Sequence, residues 1–141
     1  MSAFYGDIHE YIFFGVLVAA LLLGPAQGAT INVSPGDLLQ DVVDAAAHGD
    51  IIEVQSGTYC KNVVVNKTIT LRGLDTGAGK PVIDAGGVGS AINLSADGVT
   101  IEGFDIRNSG DEPGDAGIRS TSTNNVIRDN VIRSNGGSGI R

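Results

Sequence analysis

AINLSADGVTIEGFDIRNSG (91–110) and GIRSTSTNNVIRDNVIRSNG (117–136) are one pattern written twice, 26 residues apart. At that shift Ile92 falls on Ile118, Ile101 on Ile127, Ile106 on Ile132 and Gly110 on Gly136, while Val99 and Phe104 fall on Asn125 and Asn130. The next equivalent isoleucine, Ile140, lies only 22 residues after Ile118, because Gly137-Ser138 replaces the longer connection Asp111–Asp115. Working backward, Thr70-Leu71-Arg72-Gly73 matches Thr100-Ile101-Glu102-Gly103 at a shift of 30, and Ile83 matches Ile106 at 23. The extra residues sit in the Gly-rich loop Leu74–Lys80. Strands of fixed length joined by corners of variable length describe a coil that stacks on itself.

The rest of the chain agrees. Short β-rich runs recur as IIEV (51–54), NVVV (62–65), TITLRG (68–73), PVID (81–84), AINL (91–94), GVTIEGFDIRN (98–108), AGIRS (116–120), NNVIRDNVIRSN (124–135) and SGIR (138–141). No helical pattern separates them, so βαβ crossovers are excluded. The fold class expected is all-β: a right-handed, single-stranded parallel β-helix of about three to four coils. Equivalent side chains then form columns, with Val63, Ile92, Ile118 and Ile140 filling the interior. Arg72, Glu102 and Arg128 form one outward column, and Asp84, Arg107 and Arg133 another. Asn125 and Asn130 are expected to satisfy amide groups between coils. Ahead of the coils, Leu38, Leu39, Val42, Val43, Ala45 and Ala46 follow helical spacing, with Asp37 as the expected N-cap and His48-Gly49 as the stop. A cationic His48 imidazole would suit the helix C-terminus. This amphipathic helix is expected to cap the first coil, whose core and strand edge are otherwise bare.

Domain boundaries follow. Residues 11–24, YIFFGVLVAALLLG, are too short for a membrane span of about 20 residues but fit a signal-peptide core. Residues 1–28 are read as a signal peptide although their leading segment has no Lys or Arg. A membrane association is expected only if residues 11–24 are retained as an anchor. Residues 29–50 hold the first strand and capping helix, and 51–141 the coils, with a C-terminal truncation expected because the last run matches a strand. A secreted, periplasmic or cell-surface location follows. The net charge of −7 excludes nucleic acid as a partner. With one cysteine, Cys60, no internal disulfide is available.

GDIIEVQSGTYCKNVVVNKTITLRG (49–73), with the N-x-x-I rungs that follow it, resembles the right-handed β-helix family typified by the periplasmic copper-binding protein of nitrous-oxide-reductase maturation. Related modules occur among pectin-lyase-like carbohydrate-binding and sugar-hydrolase proteins. The resemblance implies the fold over about residues 31–141 and leaves activity open, since one fold hosts many functions. Copper needs imidazole or sulfur ligands, and beyond residue 28 the chain has only His48 and Cys60.

The residues themselves favour a non-catalytic module that is structural, adhesive or glycan-contacting. Two alternatives stay open: a truncated carbohydrate-active lyase or hydrolase, and a periplasmic copper-delivery protein. Tyr59, Arg107 and Arg133 are the candidate ligand-binding residues for polysaccharide or surface glycan, the plainer reading being a core-covering ring and a solvated charge ladder. Asp111, Glu112 and Asp115 are candidate Ca²⁺ ligands, though the usual Asp-x-Asp-x-Asp-Gly spacing is absent. No other cofactor is expected. Asn32, Asn66 and Asn93 head N-x-[ST] sequons that permit glycosylation. The unfinished last coil is expected to stack on another chain or on further coils.

Overall fold

The computed structural model describes residues 28–141, so the expected signal peptide and any anchor at 11–24 lie outside the described residues. Thirteen strands and one helix follow one another. Strand β1 (Thr30–Val33) and helix α1 (Leu39–Ala45) come first. Four rungs of three strands each follow: β2 (Ile51–Val54), β3 (Thr58–Cys60) and β4 (Val63–Val65); β5 (Thr70–Gly73), β6 (Val82–Asp84) and β7 (Ile92–Leu94); β8 (Thr100–Glu102), β9 (Asp105–Arg107) and β10 (Ala116–Ser120); β11 (Val126–Arg128), β12 (Val131–Arg133) and β13 (Ser138–Ile140).

Each rung contributes one strand to each of three sheets, ordered β1-β2-β5-β8-β11, β3-β6-β9-β12 and β4-β7-β10-β13. Every pairing among the described strands is parallel. The fold is therefore an all-β parallel β-helix. The registers match the sequence repeats: Ile92 pairs with Ile118, Ile101 with Ile127, Ile106 with Ile132, Ile118 with Ile140 and Thr70 with Thr100.

Alternation along each strand sends every second side chain inward. The interior columns are Ile31/Ile52/Leu71/Ile101/Ile127, Tyr59/Ile83/Ile106/Ile132 and Val63/Ile92/Ile118/Ile140. Their middle members are fully buried, and Phe104 fills a corner at 0% exposure. At about 25 cal/mol per Å² of apolar surface, each such side chain stabilises the stack by roughly 1.5–3 kcal/mol. Backbone packs on backbone at the corner after the first sheet. A Cβ on Gly103 would meet the Gly73 carbonyl at 2.4 Å, and Gly103 has φ +84, which accounts for both glycines of the T-x-x-G pair.

Asparagines knit one corner to the next. The Oδ1 atoms of Asn125, Asn130 and Asn135 accept from the backbone N–H groups of Val99 (2.9 Å), Phe104 (2.9 Å) and Ser109 (3.0 Å) in the rung before. The Asn130 amide also donates to the Ile101 carbonyl at 2.9 Å.

The helix caps the first rung but differs in detail from its sequence pattern. It runs only over Leu39–Ala45, and Leu38 occupies the N-cap without a side-chain bond. Asp37 instead accepts from the Ser34 N–H at 2.8 Å, because the Pro35-Gly36 turn folds its carboxylate back on the preceding strand. His48 turns to the next rung, where its Nδ1 accepts from the Thr68 N–H at 3.1 Å. Lys67 takes the helix-end role, donating to the carbonyls of Val43 (3.4 Å), Asp44 and Ala46 (2.7 Å). Leu39 and Val43 bury against the core. The Gln40 side chain donates to the Val64 carbonyl (3.0 Å) and accepts from the Val64 N–H (2.8 Å). It thereby stands in for the strand that β4 lacks on that side.

Candidate functional site

A cleft of about 180 Å³ opens where the capping helix meets the first rung. Its walls include Asp37, Leu38 and Asp41 on one side and Thr58, Tyr59 and Lys61 on the other. It lies where β3 has no strand on its N-terminal edge among the described residues, whereas β1 covers β2 and Gln40 covers β4. Tyr59 is buried, with its hydroxyl donating to the Gln55 carbonyl at 2.9 Å. Burial, with the Asp37 carboxylate nearby, holds the phenol above its ordinary range. Asp41 and Lys61 are exposed at the mouth, and Cys60 is a free, exposed thiol.

The structure separates Tyr59 from the other two candidate ligand residues. Tyr59 points inward, whereas Arg107 and Arg133 lie on the outward face of the same sheet, in the column Cys60/Asp84/Arg107/Arg133. Both arginines have carboxylate partners. Arg107 Nε reaches Asp84 at 3.2 Å, and Arg133 reaches Asp105 at 2.7 Å. Burial raises the Asp84 pKa, but bonds from the Gly86 N–H, Asn108 and Arg107 outweigh it and leave the carboxyl below the usual range.

The other outward column extends one step further than the sequence repeat showed, as Glu53/Arg72/Glu102/Arg128. Charges alternate along it. Arg72 meets Glu102 at 2.6 Å and Glu53 at 3.3 Å, and Arg128 meets Glu102 at 2.6 Å. Bonds from Arg72, and then from Arg128, hold the Glu102 carboxyl below its ordinary range despite burial. The same bond with Glu102 raises the Arg72 guanidinium pKa.

Asp111 and Glu112 are exposed on the corner before β10, and Asp115 is half-buried there. The Asp115 carboxylate accepts from the Glu112 N–H at 3.3 Å. Among the described residues no group of three or more His, Cys, Asp and Glu side chains could hold a metal ion. Of the sequons, Asn32 and Asn66 are exposed and Asn93 is half-buried on β7. Sequence reasoning missed Gln40, Lys67, Asp41 and Lys61. Only the pairing of the helix with β4 brings Gln40 to Val64, and no local pattern encodes that meeting.

With this geometry in place, known proteins can be compared. The chain is similar to NosD. It is 35% identical over 96 residues, 68% of its length, to the probable ABC transporter binding protein NosD of Pseudomonas aeruginosa (strain PAO1). The match covers 20% of that protein, so the chain spans about a fifth of the length of this curated relative. No protein-family model and no solved structure matches the chain. The similarity to NosD supports the family resemblance read from residues 49–73. Among the described residues, no helix is long and apolar enough to cross a membrane.

Proposed function

We propose that the chain is a non-catalytic secreted or cell-surface β-helix module, a structural element that contacts glycans through the cleft beside Tyr59. One observation carries the non-catalytic half. Sugar hydrolysis needs a carboxyl held protonated near neutral pH, hence one with a raised pKa. Glu102 and Asp84, carboxylates of the two ladders, lie below their ordinary range, Glu102 through bonds from Arg72 and Arg128 and Asp84 through bonds from the Gly86 N–H, Asn108 and Arg107. The cleft supports the glycan half: carboxylates, a hydroxyl and an amine stand beside the apolar Leu38 and Leu39, the mixture that hydroxyl-rich ligands require.

The test incubates the chain with polygalacturonate and other polysaccharides, measuring reducing ends and binding. We expect no turnover, and binding that weakens about tenfold in D41A and K61A, the loss of one charge-assisted hydrogen bond. Turnover by this chain alone contradicts the first half, and binding untouched by both substitutions contradicts the second.

The similarity to NosD and the family resemblance favour a second reading, periplasmic copper delivery. The described residues do not fit a copper set. His48 Nδ1 is taken by the Thr68 N–H, Cys60 stands alone on the outward side of β3, and no metal-holding cluster surrounds either. Copper retained at one equivalent after dialysis would favour this second reading.

A further inference from the structure

Two opposite charges face the cleft beside Tyr59 without a partner. Most ionic side chains of the coils are committed to the chain itself. Arg72, Arg107, Arg128 and Arg133 meet carboxylates. Of the three lysines, Lys67 and Lys80 donate to backbone carbonyls at 2.7 and 2.9 Å. Lys61, the third, makes no side-chain hydrogen bond or ion pair among the described residues, and neither does the Asp41 carboxylate or the Thr58 hydroxyl. The other polar groups of the cleft are engaged. Asp37 accepts from the Ser34 N–H at 2.8 Å, Gln40 is bound to Val64, and the Tyr59 hydroxyl donates to the Gln55 carbonyl.

Placement keeps the two charges apart. Asp41 stands on helix α1 and Lys61 directly after β3, so they lie on opposite walls and do not pair with each other. Leu38 offers an apolar side chain that is 60% exposed, and the buried Leu39, Tyr59 and Val63 complete the lining. The volume of about 180 Å³ is below the roughly 300–1,000 Å³ of pockets for drug-sized ligands and suits one small ring.

Charge then decides among rings. A neutral sugar displaces water from both charged groups and pairs neither, which costs free energy. A uronate pairs Lys61 but brings its own carboxylate into a cleft that already holds Asp37 and Asp41. An amino sugar without an acid pairs Asp41 and leaves Lys61 unmet. A ring that carries both signs gives each wall a charge-assisted hydrogen bond.

Resting on the glycan reading above, we propose that the cleft selects a zwitterionic amino sugar, a ring with a free ammonium and a carboxylate. The ammonium is held by Asp41 and the carboxylate by Lys61, with a C–H face of the ring on Leu38 and a ring hydroxyl at Thr58.

The full chain is titrated calorimetrically with muramic acid, which has both charges on one sugar. The comparison ligands are N-acetylmuramic acid, whose amine is blocked, glucosamine, which has no acid, and alanine, which has both charges and no ring. Muramic acid should bind at least about tenfold more tightly than each of the three, the worth of one charge-assisted hydrogen bond. Asp41→Asn should abolish the preference over N-acetylmuramic acid and keep that over glucosamine. Lys61→Met should do the reverse. Both side chains are exposed, and circular dichroism checks that each variant keeps its fold. Muramic acid no tighter than either single-charge sugar, alanine as tight as muramic acid, or variants that change both preferences alike would each overturn the proposal. Polysaccharide binding that D41A and K61A weaken, without a preference for muramic acid, overturns this inference alone. Absence of binding by every saccharide overturns the glycan reading with it.

Discussion

The first and last described rungs of this β-helix are built on the same columns and are covered differently. At the first rung, β1 extends one sheet, the Gln40 amide imitates a strand against β4, and Leu39 and Val43 cover the core. Lys67 and Asp50 fasten this cap to the coil. Asp50, nearly buried, accepts from the Ala29 and Ala47 N–H groups at 2.8 Å each. At the last rung none of these devices is present among the described residues, and its interior isoleucines are half-covered or exposed. The interior columns are continuous through both ends, so the difference lies in covering and not in the repeat. A stacked fold is therefore held together by neighbours, and each side chain is worth as much as the rungs on both sides of it allow.

Substitutions that move along one column test this. Ile92→Ala should cost about 2–5 kcal/mol, since it opens a cavity between two covering rungs. Ile140→Ala, in the same column, should cost under about 1 kcal/mol because half of that side chain already meets water. Urea unfolding of both variants measures the contrast, and equal losses would break it. Lys67→Met removes the cation from three helix-end carbonyls and should lower stability by about 1–2 kcal/mol, seen as a shift of the urea midpoint. The smallest effect concerns the outward column. The folded Glu102 pKa lies below its unfolded value, so its stabilising contribution is full above roughly pH 4.3 and fades as pH falls through the folded value. Glu102→Gln should reduce stability at pH 7 and shrink the loss between pH 5 and pH 3, as read from midpoints at those pH values.

Much of the fold was legible because columns impose identity at a distance. The isoleucines 92, 118 and 140 could be aligned by eye once the loop lengths were allowed to vary, and the alternating Arg72, Glu102 and Arg128 came with them. The capping helix was legible as an apolar stripe, but its ends were not. Asp37 suits an N-cap as a residue type, yet the Pro35-Gly36 turn directs it to Ser34, and Lys67 reaches the helix end from 21 residues beyond it. Tyr59 was legible as a core-covering ring. The cleft beside it was not, because it arises where no described strand lies beside β3 and not from any residue pattern. Arg107 and Arg133 were candidate ligand residues, with a solvated charge ladder as the plainer reading. The repeat already put Asp84 in their column, and the structure adds Asp105 as the carboxylate that Arg133 meets.

The most direct measurement is a set of methyl–methyl nuclear Overhauser contacts in isoleucine-labelled protein. Stacked parallel rungs predict Ile92 in contact with Ile118, and Ile118 with Ile140, with amide exchange slow at the first two and fast at the third. Contacts between Ile92 and Ile140 that bypass Ile118, or cross-strand patterns of antiparallel pairing, would contradict it.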